Sequence, residues 1–454
     1  MSKFLFEEFP PVSAKQWKQK IQADLKGADY NETLLWESNE GITVKPFYHP
    51  DEYQQLPYTP HKPVYDVCQH VFIADEAIAG KLAKDVLKKG ATSILFEADK
   101  TFNIQKLAAQ LFIPEKVGIH FKFNFLSETF IADILKKIKA NNLYLNIDPI
   151  GNLARTGNWF ESRDEDFEIV KKILSKAPKE VTVLGVDAAL YQNAGANIVQ
   201  QVAYALAHAN EYLNSIFQSG KSMPSVEFHF AIGSNYFFEI AKLKAFRRLW
   251  QLLSDEYAFN VKAHIFVQPS LRNKTLYDYN VNMLRTTTEC MSAVVGGADT
   301  IANVPYDMLF HKSNEIGERI ARNQLQVILH EAHFVEAWQV ADGTYYIESL
   351  TAQIAKKALG LLKEIERSGG FLKQLAEGTI QRKIEENAAK EQAQFDSGKL
   401  VLLGTNKHPN KSDMMKDNLD LYPFVKIKPR KTGIAPIIPR RLAETMEQER
   451  LNKE

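Results

Sequence analysis

The sequence predicts an α/β protein built on a closed (β/α)8 barrel of the TIM type, with an N-terminal arm before it and a helical extension after it. Three observations carry this reading. From about Val67 to Val304, short apolar runs alternate with longer amphipathic ones, the pattern of strand and crossover helix repeated around a parallel sheet. Eight strands are countable there: VCQHVFI, ATSILFE, VGIHFKF, LYLNID, VTVLGVD, VEFHFAI, VKAHIFV and DTIANV. So many consecutive units suit a closed barrel better than an open doubly wound sheet. Finally, neither G-x-G-x-x-G nor the P-loop pattern occurs, and an open nucleotide-binding sheet would carry such a loop after its first strand.

Ahead of the barrel, Pro10 and Pro11 keep the chain extended, and Ser13 is placed to cap a short helix in which Trp17, Ile21 and Leu25 recur at four-residue spacing. Gly27 is a natural stop for that helix. ITVKPFY predicts a strand, and the proline-rich connection from His49 to Pro63 predicts a surface loop. Within the barrel, DEAIAGKLAKDVLKK, NIVQQVAYALAHANEYL and FEIAKLKAFRRLWQLL supply the helices between strands. Beyond it, EIGERIARNQLQVILHEAHF, LTAQIAKKALGLLKEIERSGG and GGFLKQLAEGTIQRKIEENAAKEQAQFDSGK predict helices packed on the barrel's outside, followed by a short strand, LVLLGT. The last stretch mixes prolines with basic residues (KIKPRKTGIAPIIPRR) and ends in LAETMEQERLNKE, read as a short exposed helix. The expected division is 1–62 for the arm and dimerisation segment, 63–310 for the barrel, 311–409 for the last barrel helix and helical extension, and 410–454 for the Pro/basic tail.

A chain of 454 residues suffices for one large barrel with extensions. Its 45% hydrophobic and 24% charged residues are globular in balance, and a net charge of +1 gives no electrostatic case for nucleic acid. Cys68 and Cys290 stand far apart in no ligand pattern, which argues against a disulfide framework or zinc knot and suits a reducing cytoplasm. The opening MSKFLFEEFPPVSAKQW carries acids where a signal peptide needs an apolar run, and no stretch is long and apolar enough for a membrane span.

In a parallel barrel the chemistry belongs at the C-terminal ends of the strands, which draws attention to Asp148, Asp187, Gln268 and Asn303, and to Gln69 and His70 in the first strand. Polar residues at strand ends are ordinarily helix caps or loop anchors. His330, Glu331 and His333 approach the zinc-helix pattern H-E-x-x-H, but the second histidine is one position short, so packed or surface histidines are the better reading. No carboxylate pair or Ser/His/Asp set stands at a recognisable spacing. The basic residues from Lys426 to Lys431, with Arg440 and Arg441, read either as a dock for an acidic partner or as a solvated face. Phe424, Ile427, Ile434, Ile437 and Ile438 have too little periodicity to fold alone; they pack on their own barrel or along another subunit, and the second option suits an obligate complex.

Long motifs in a consistent order carry a resemblance. FPPVSAKQWKQKIQADLKGADYNETLLWESNEGITVKPFYHPDE, MLRTTTECMSAVVGGADTIANVPYD, ERIARNQLQVILHEAHFVEAWQVADGTYYIESLT, GGFLKQLAEGTIQRKIEENAAKEQAQFDSGK and LLGTNK resemble the methylmalonyl-CoA mutase family up to about Lys407. The resemblance implies an acyl-CoA mutase-like barrel. That family interconverts succinyl-CoA and methylmalonyl-CoA by a radical route, in which adenosylcobalamin sits on a separate flavodoxin-like domain and the acyl-CoA threads through the barrel. The domain's histidine ligand comes from a D-x-H-x-x-G pattern that this sequence does not contain. The expectation is therefore that no cofactor is bound by this chain alone and that a partner subunit holds the adenosylcobalamin.

Departures from the family pattern fall on the substrate pocket. The family's Tyr-His pair is replaced by Ala189 and Leu190; its I-R-Q-Y strand reads Val67, Cys68, Gln69 and His70, with Cys68 at the arginine position. The F-H-T-Q segment reads Ile265, Phe266, Val267 and Gln268, and the P-F-T-R-G segment is replaced by QQLPYTPHKPVY. One convergent donor contributes roughly a few kcal/mol to a transition state, so losing several implies no catalytic residues here. Gln69, His70, Gln192, Gln268, Asn282 and Arg285 are left as residual pocket candidates. The resemblance thus implies a small, non-catalytic subunit, inactive alone and paired with a catalytic large subunit, with acyl-CoA present in the complex. The alternatives are the barrel chain of a split acyl-CoA mutase using cobalamin bound to a separate chain, and a stand-alone acyl-CoA-binding barrel.

Overall fold

In the computed structural model, residues 8–53, 64–111, 116–218, 225–257, 261–336, 339–426 and 429–454 are described. Eight parallel strands close into a barrel. They are β1 (Asp66–Phe72), β2 (Ser93–Ala98), β3 (Gly118–Phe123), β4 (Asn142–Ile147), β5 (Thr182–Asp187), β6 (Ser225–Ile232), β7 (Lys262–Pro269) and β8 (Thr300–Ile301). All of the expected strands are present. The last is the shortest: Thr300 and Ile301 pair with Asp66 and Val67 on one side and with Phe266 and Val267 on the other. It stops early because Asn303 turns its amide onto Ala321 O and Gln324 Oε1, both at 2.9 Å.

Alternation builds the barrel wall. Ile94, Phe96, Ile119, Phe121, Phe228 and Ile265 belong to the main buried cluster shared with the surrounding helices. Phe228, for example, meets Phe246 and Trp250 of the helix Tyr236–Glu256 with ring centroids 4.6 and 4.7 Å apart. The helix Glu76–Lys88 starts where the Asp75 carboxylate accepts the Ala77 and Ile78 amides. Glu315–His330 packs beside β1 and the helix Val281–Gly296, while Tyr345–Arg367 forms an outer layer over Ile198–Gln218 and Tyr236–Glu256. Among the described residues, no helix is long and apolar enough to cross a membrane.

Three expectations need correction. ITVKPFY supplies only Thr43–Val44, paired antiparallel with Trp36–Glu37 around Gly41 at φ 66°; Pro46 follows and has no amide to extend the ladder. LVLLGT forms a turn, with one bridge between Leu403 and Lys407, because Gly404 adopts φ 78° and Asn406 binds the Leu402 amide and the Phe395 and Leu400 carbonyls at 2.8–2.9 Å. The final helix, Glu444–Leu451, is partly sunk, with Glu447 only 2% exposed. Of the two readings of the apolar tail, packing on its own barrel is the one seen for Phe424 and Ile437, which are buried, while Ile438 stays 38% exposed. The expected cap at the N-terminus is present: Ser13 and Gln16 form a reciprocal capping box on Ala14–Asp24, a helix that buries none of its residues. Residues 54–63 of the proline-rich connection, and Ile427 in the tail, lie outside the described residues.

The tail forms a strap across the C-terminal face of the barrel. The Gly433 and Ile434 amides bond Gly157 O at 2.9 and 3.1 Å, Ile437 N bonds Ala154 O at 2.8 Å, Arg440 N bonds Asn193 O at 3.0 Å, and Leu442 N bonds Arg272 O at 2.9 Å. These anchors follow β4, β5 and β7 in the chain. Gly157 has φ 81°, and a Cβ there would lie 2.6 Å from Ile434 O, so the close approach of the strap demands glycine. Arg441 pins the strap's end: it is buried, pairs with Glu447, and donates to Lys274 O at 3.1 Å and Pro423 O at 3.2 Å.

Arg441→Ala would leave the Glu447 carboxylate buried and unpaired, at a cost of about 3–5 kcal/mol. Limited trypsinolysis should then cut at Arg430 and Lys431 faster than in the parent protein. Unchanged cleavage there would show that Arg441 does not hold the strap.

Candidate functional site

The six residual pocket candidates separate into two groups. Gln69 faces the helix Glu315–His330, donating to Glu318 and accepting from Arg322 Nη1 at 3.0 Å. Gln192, buried in the short helix Ala189–Asn193, accepts from the buried ammonium of Lys242 at 3.1 Å and donates to Glu239 at 3.4 Å. Asn282 donates to Thr275 O at 2.8 Å and Tyr306 O at 3.0 Å, and accepts from Arg285 Nη1 at 2.8 Å. Arg285 also holds Leu403 O at 2.7 Å. These four are engaged by the scaffold.

His70 and Gln268 stay at the mouth of the barrel. His70 Nε2 lies 2.9 Å from Glu97 Oε2, and Lys122 Nζ lies 3.3 Å from Glu97 Oε1. Burial raises the Glu97 pKa, but the bonds from His70 and Lys122 outweigh it and hold the carboxyl at about 2. Between these strand ends is a cavity of about 60 Å³, lined by Lys122, Asn146, Ala189, His229, Phe266 and Gln268 among others. Two waters would occupy roughly that volume, whereas sites for small organic ligands run to about 300–1,000 Å³. Cys68, Leu95, Phe266 and Ala302 form a separate apolar cluster between the strands, and Leu190 is buried in the wall at 4% exposure.

The middle of the barrel holds a polar network that the sequence reading missed. Glu227 of β6 is fully buried, 2.8 Å from His120 Nδ1 of β3 and 2.7 Å from His229 Nε2, and it accepts from Asn146 Nδ2 of β4 at 2.8 Å. Burial alone would raise its pKa; the adjacent His120 and His229 instead hold it well below the usual carboxylate range. Tyr144 stacks on His120 at 4.3 Å and lies 3.1 Å from His264 Nδ1, while His264 Nε2 lies 2.9 Å from Thr300 Oγ1. Asn146 reaches Glu227 because β4 slips register between Tyr144 and Ile147, with Asn146 at φ 50°. Gly185 on the neighbouring strand makes room, since a Cβ there would lie 2.7 Å from Asn146 Oδ1. The signal was present in GIHFKF, VEFHFAI and KAHIFV, whose histidines and glutamate sit mid-strand on the face opposite the apolar set.

The strand-end acids serve structure. Asp148 caps the helix Pro149–Thr156 through Gly151 N at 2.8 Å, accepts from Tyr212 Oη at 2.7 Å and Asp187 N at 3.0 Å, and lies 2.8 Å from His208 Nε2. Asp187 pairs with Arg155 at 3.1 Å. In the H-E-A-H stretch, His330 ends its helix and His333 lies beyond it at φ 54°, exposed and 3.7 Å from Glu336.

Burial raises the Asp148 pKa, yet His208, Tyr212 and the Asp187 amide bring it from the ordinary 3.8 to about 2. The folded value lies below the unfolded one, so the associated stabilisation is complete above the unfolded pKa and is lost as pH falls through the folded one. Asp148→Asn should therefore cost on the order of 2 kcal/mol at neutral pH. The gap from the parent, read by denaturant melts, should narrow below roughly pH 4; a gap independent of pH would assign the loss to packing.

Comparison with known proteins places these features in a lineage. Residues 103–432 match the family model described as methylmalonyl-CoA mutase. The chain is 34% identical over 453 residues to a methylmalonyl-CoA mutase small subunit of Porphyromonas gingivalis, covering 92% of this chain and 73% of that one. It is 28% identical over 444 residues to a protein of the same description from Streptomyces virginiae, covering 89% and 72%. A methylmalonyl-CoA mutase of Cereibacter sphaeroides is 32% identical over 297 residues, but the match covers 62% of this chain and 39% of that protein. On the strength of the matched span and of the identity along nearly its whole length, this chain belongs to the methylmalonyl-CoA mutase family.

Proposed function

We propose that this chain is the small, non-catalytic subunit of a heterodimeric methylmalonyl-CoA mutase, with the radical interconversion of succinyl-CoA and methylmalonyl-CoA carried out in a large partner subunit. One observation carries the reading: the barrel mouth offers about 60 Å³, far below what a threaded acyl-CoA requires. Several features agree with it. Ala189 and Leu190 bring no hydrogen-bonding side chain to the mouth, and Gln69, Gln192, Asn282 and Arg285 are committed to the scaffold. The strap crosses the face on which a barrel enzyme binds its ligands. Two relatives are described as small subunits, a description that presupposes a larger partner.

Adenosylcobalamin does not fit the described residues. A corrin macrocycle is far larger than the cavity of about 60 Å³ at the mouth, and the strap is bonded to the loops after β4, β5 and β7 on the same side of the barrel. The cofactor is assigned to the partner, and no step through it is derived for this chain. What this chain would contribute is contact and stability. The arm is suited to that role, because its helix Ala14–Asp24 buries none of its residues and leaves Trp17 49% exposed.

The test is mutase activity with adenosylcobalamin and succinyl-CoA for this chain, for the cognate large subunit, and for their equimolar mixture. No turnover by this chain, together with co-elution and higher activity or stability of the mixture, is the expected result. Turnover by this chain without a cobalamin-bearing partner would overturn the proposal. Turnover of a branched acyl-CoA by the mixture that disappears in Gln268→Ala would favour the split-mutase alternative.

A further inference from the structure

We propose that the centre of the barrel binds one divalent transition-metal ion of the class that accepts imidazole nitrogen and carboxylate oxygen, zinc or cobalt(II), through His120, Glu227 and His264. The ligand atoms of these residues all lie within 4.8 Å of one another. They come from three different strands, so the backbone itself fixes their convergence. Metal bonds of roughly 2.0–2.2 Å in tetrahedral geometry bring donor atoms to about 3.2–3.6 Å apart. The distances here bracket that range: 2.8 Å from His120 Nδ1 and 3.7 Å from His264 Nε2 to Glu227 Oε2. His229 Nε2, 2.7 Å from the other Glu227 oxygen, stands close enough to enter or support the set.

Around these three, the neighbours hold ligands in place as a metal site requires. With His264 Nε2 on the ion, Nδ1 carries the proton and donates it to Tyr144 Oη at 3.1 Å, which fixes the tautomer. The same tyrosine stacks on His120 at an interplanar angle of 4° and limits its rotation. Asn146 donates to Glu227 Oε1 at 2.8 Å and so orients the carboxylate, an arrangement reached only through the left-handed backbone at Asn146 and the glycine opposite it. A register slip and a left-handed non-glycine residue inside a strand are features that cluster at functional sites.

The ion pairs recorded for Glu227 are all with imidazoles, so its counter-charge must be a proton on a ring or a bound cation. The small mouth cavity reaches Asn146 and His229, both bonded to Glu227. The site is independent of whether the chain serves a mutase. Its effect would be to tie β3, β6 and β7 together across the barrel.

The test uses the full chain, stripped with a chelator and titrated with cobalt(II), with absorption in the visible region as the readout, and with zinc by calorimetry. One saturable site per chain is expected, with a d–d spectrum of a low-coordinate nitrogen and oxygen site that zinc bleaches. His264→Ala and Glu227→Gln should remove the site, and Tyr144→Phe should weaken it by about 10- to 100-fold. His330→Ala/His333→Ala, which alters only the histidines at and beyond a helix end, should leave it intact. Absence of saturable binding by the parent chain overturns the proposal, whatever the variants do. Binding that survives His264→Ala but is lost in the His330/His333 variant places the metal elsewhere and overturns it equally.

Discussion

Glu227 sets the terms for the inside of this barrel. A carboxylate moved out of water costs several kcal/mol unless the protein replaces its hydration, so the residues around it must converge and stay there. His120, His229 and Asn146 supply that replacement, and Tyr144, His264 and Thr300 support them in turn. Even the backbone yields, since β4 loses register at Asn146 and β5 gives up a side chain at Gly185. Among the described residues, these side chains fill the axis of the barrel and leave a cavity of about 60 Å³ at its mouth. The apolar plug of Cys68, Leu95, Phe266 and Ala302 is consistent with the same outcome.

The exterior follows a parallel logic of charges resolved inside the protein. Lys242 is wholly buried and is satisfied by Glu239, Gln192, Gln201 and Ala231 O. Lys274 and Glu289 form a second buried pair at 2.8 Å beneath the loop that Arg441 grips from above. These contacts fix the loops after β5 and β7 in position, and the strap then bonds to the same loops. The loops after β4, β5 and β7 are thus each held by a segment distant from them in sequence.

Much of this architecture was legible beforehand. The strands declared themselves because each must present β-branched or aromatic residues to a ring of helices, and that requirement is local. Ser13 was equally readable as a cap. LVLLGT misled because a run of aliphatics resembles a strand, while Gly404 and Asn406 decide for a turn. The tail was ambiguous for a deeper reason: its burial rests on backbone bonds to Ala154, Gly157, Asn193 and Arg272, partners more than a hundred residues away that leave no periodic trace. Of the site, the apolar character of Ala189 and Leu190 could be read by position. The His120, Glu227 and His264 cluster could not, because attention to strand ends passes over strand middles, and residues from three strands show their common location only after the barrel has closed.

The strap has a consequence for how the molecule is made. Its anchoring loops lie between Ala154 and Arg272, whereas the residues that bind them lie between Gly433 and Leu442. A chain synthesised from its N-terminus completes all eight strands long before it possesses the segment that ties these loops together. For that interval the loops after β4, β5 and β7 lack the bonds that the strap supplies. Their bracing is a late, long-range event, set by the order of synthesis.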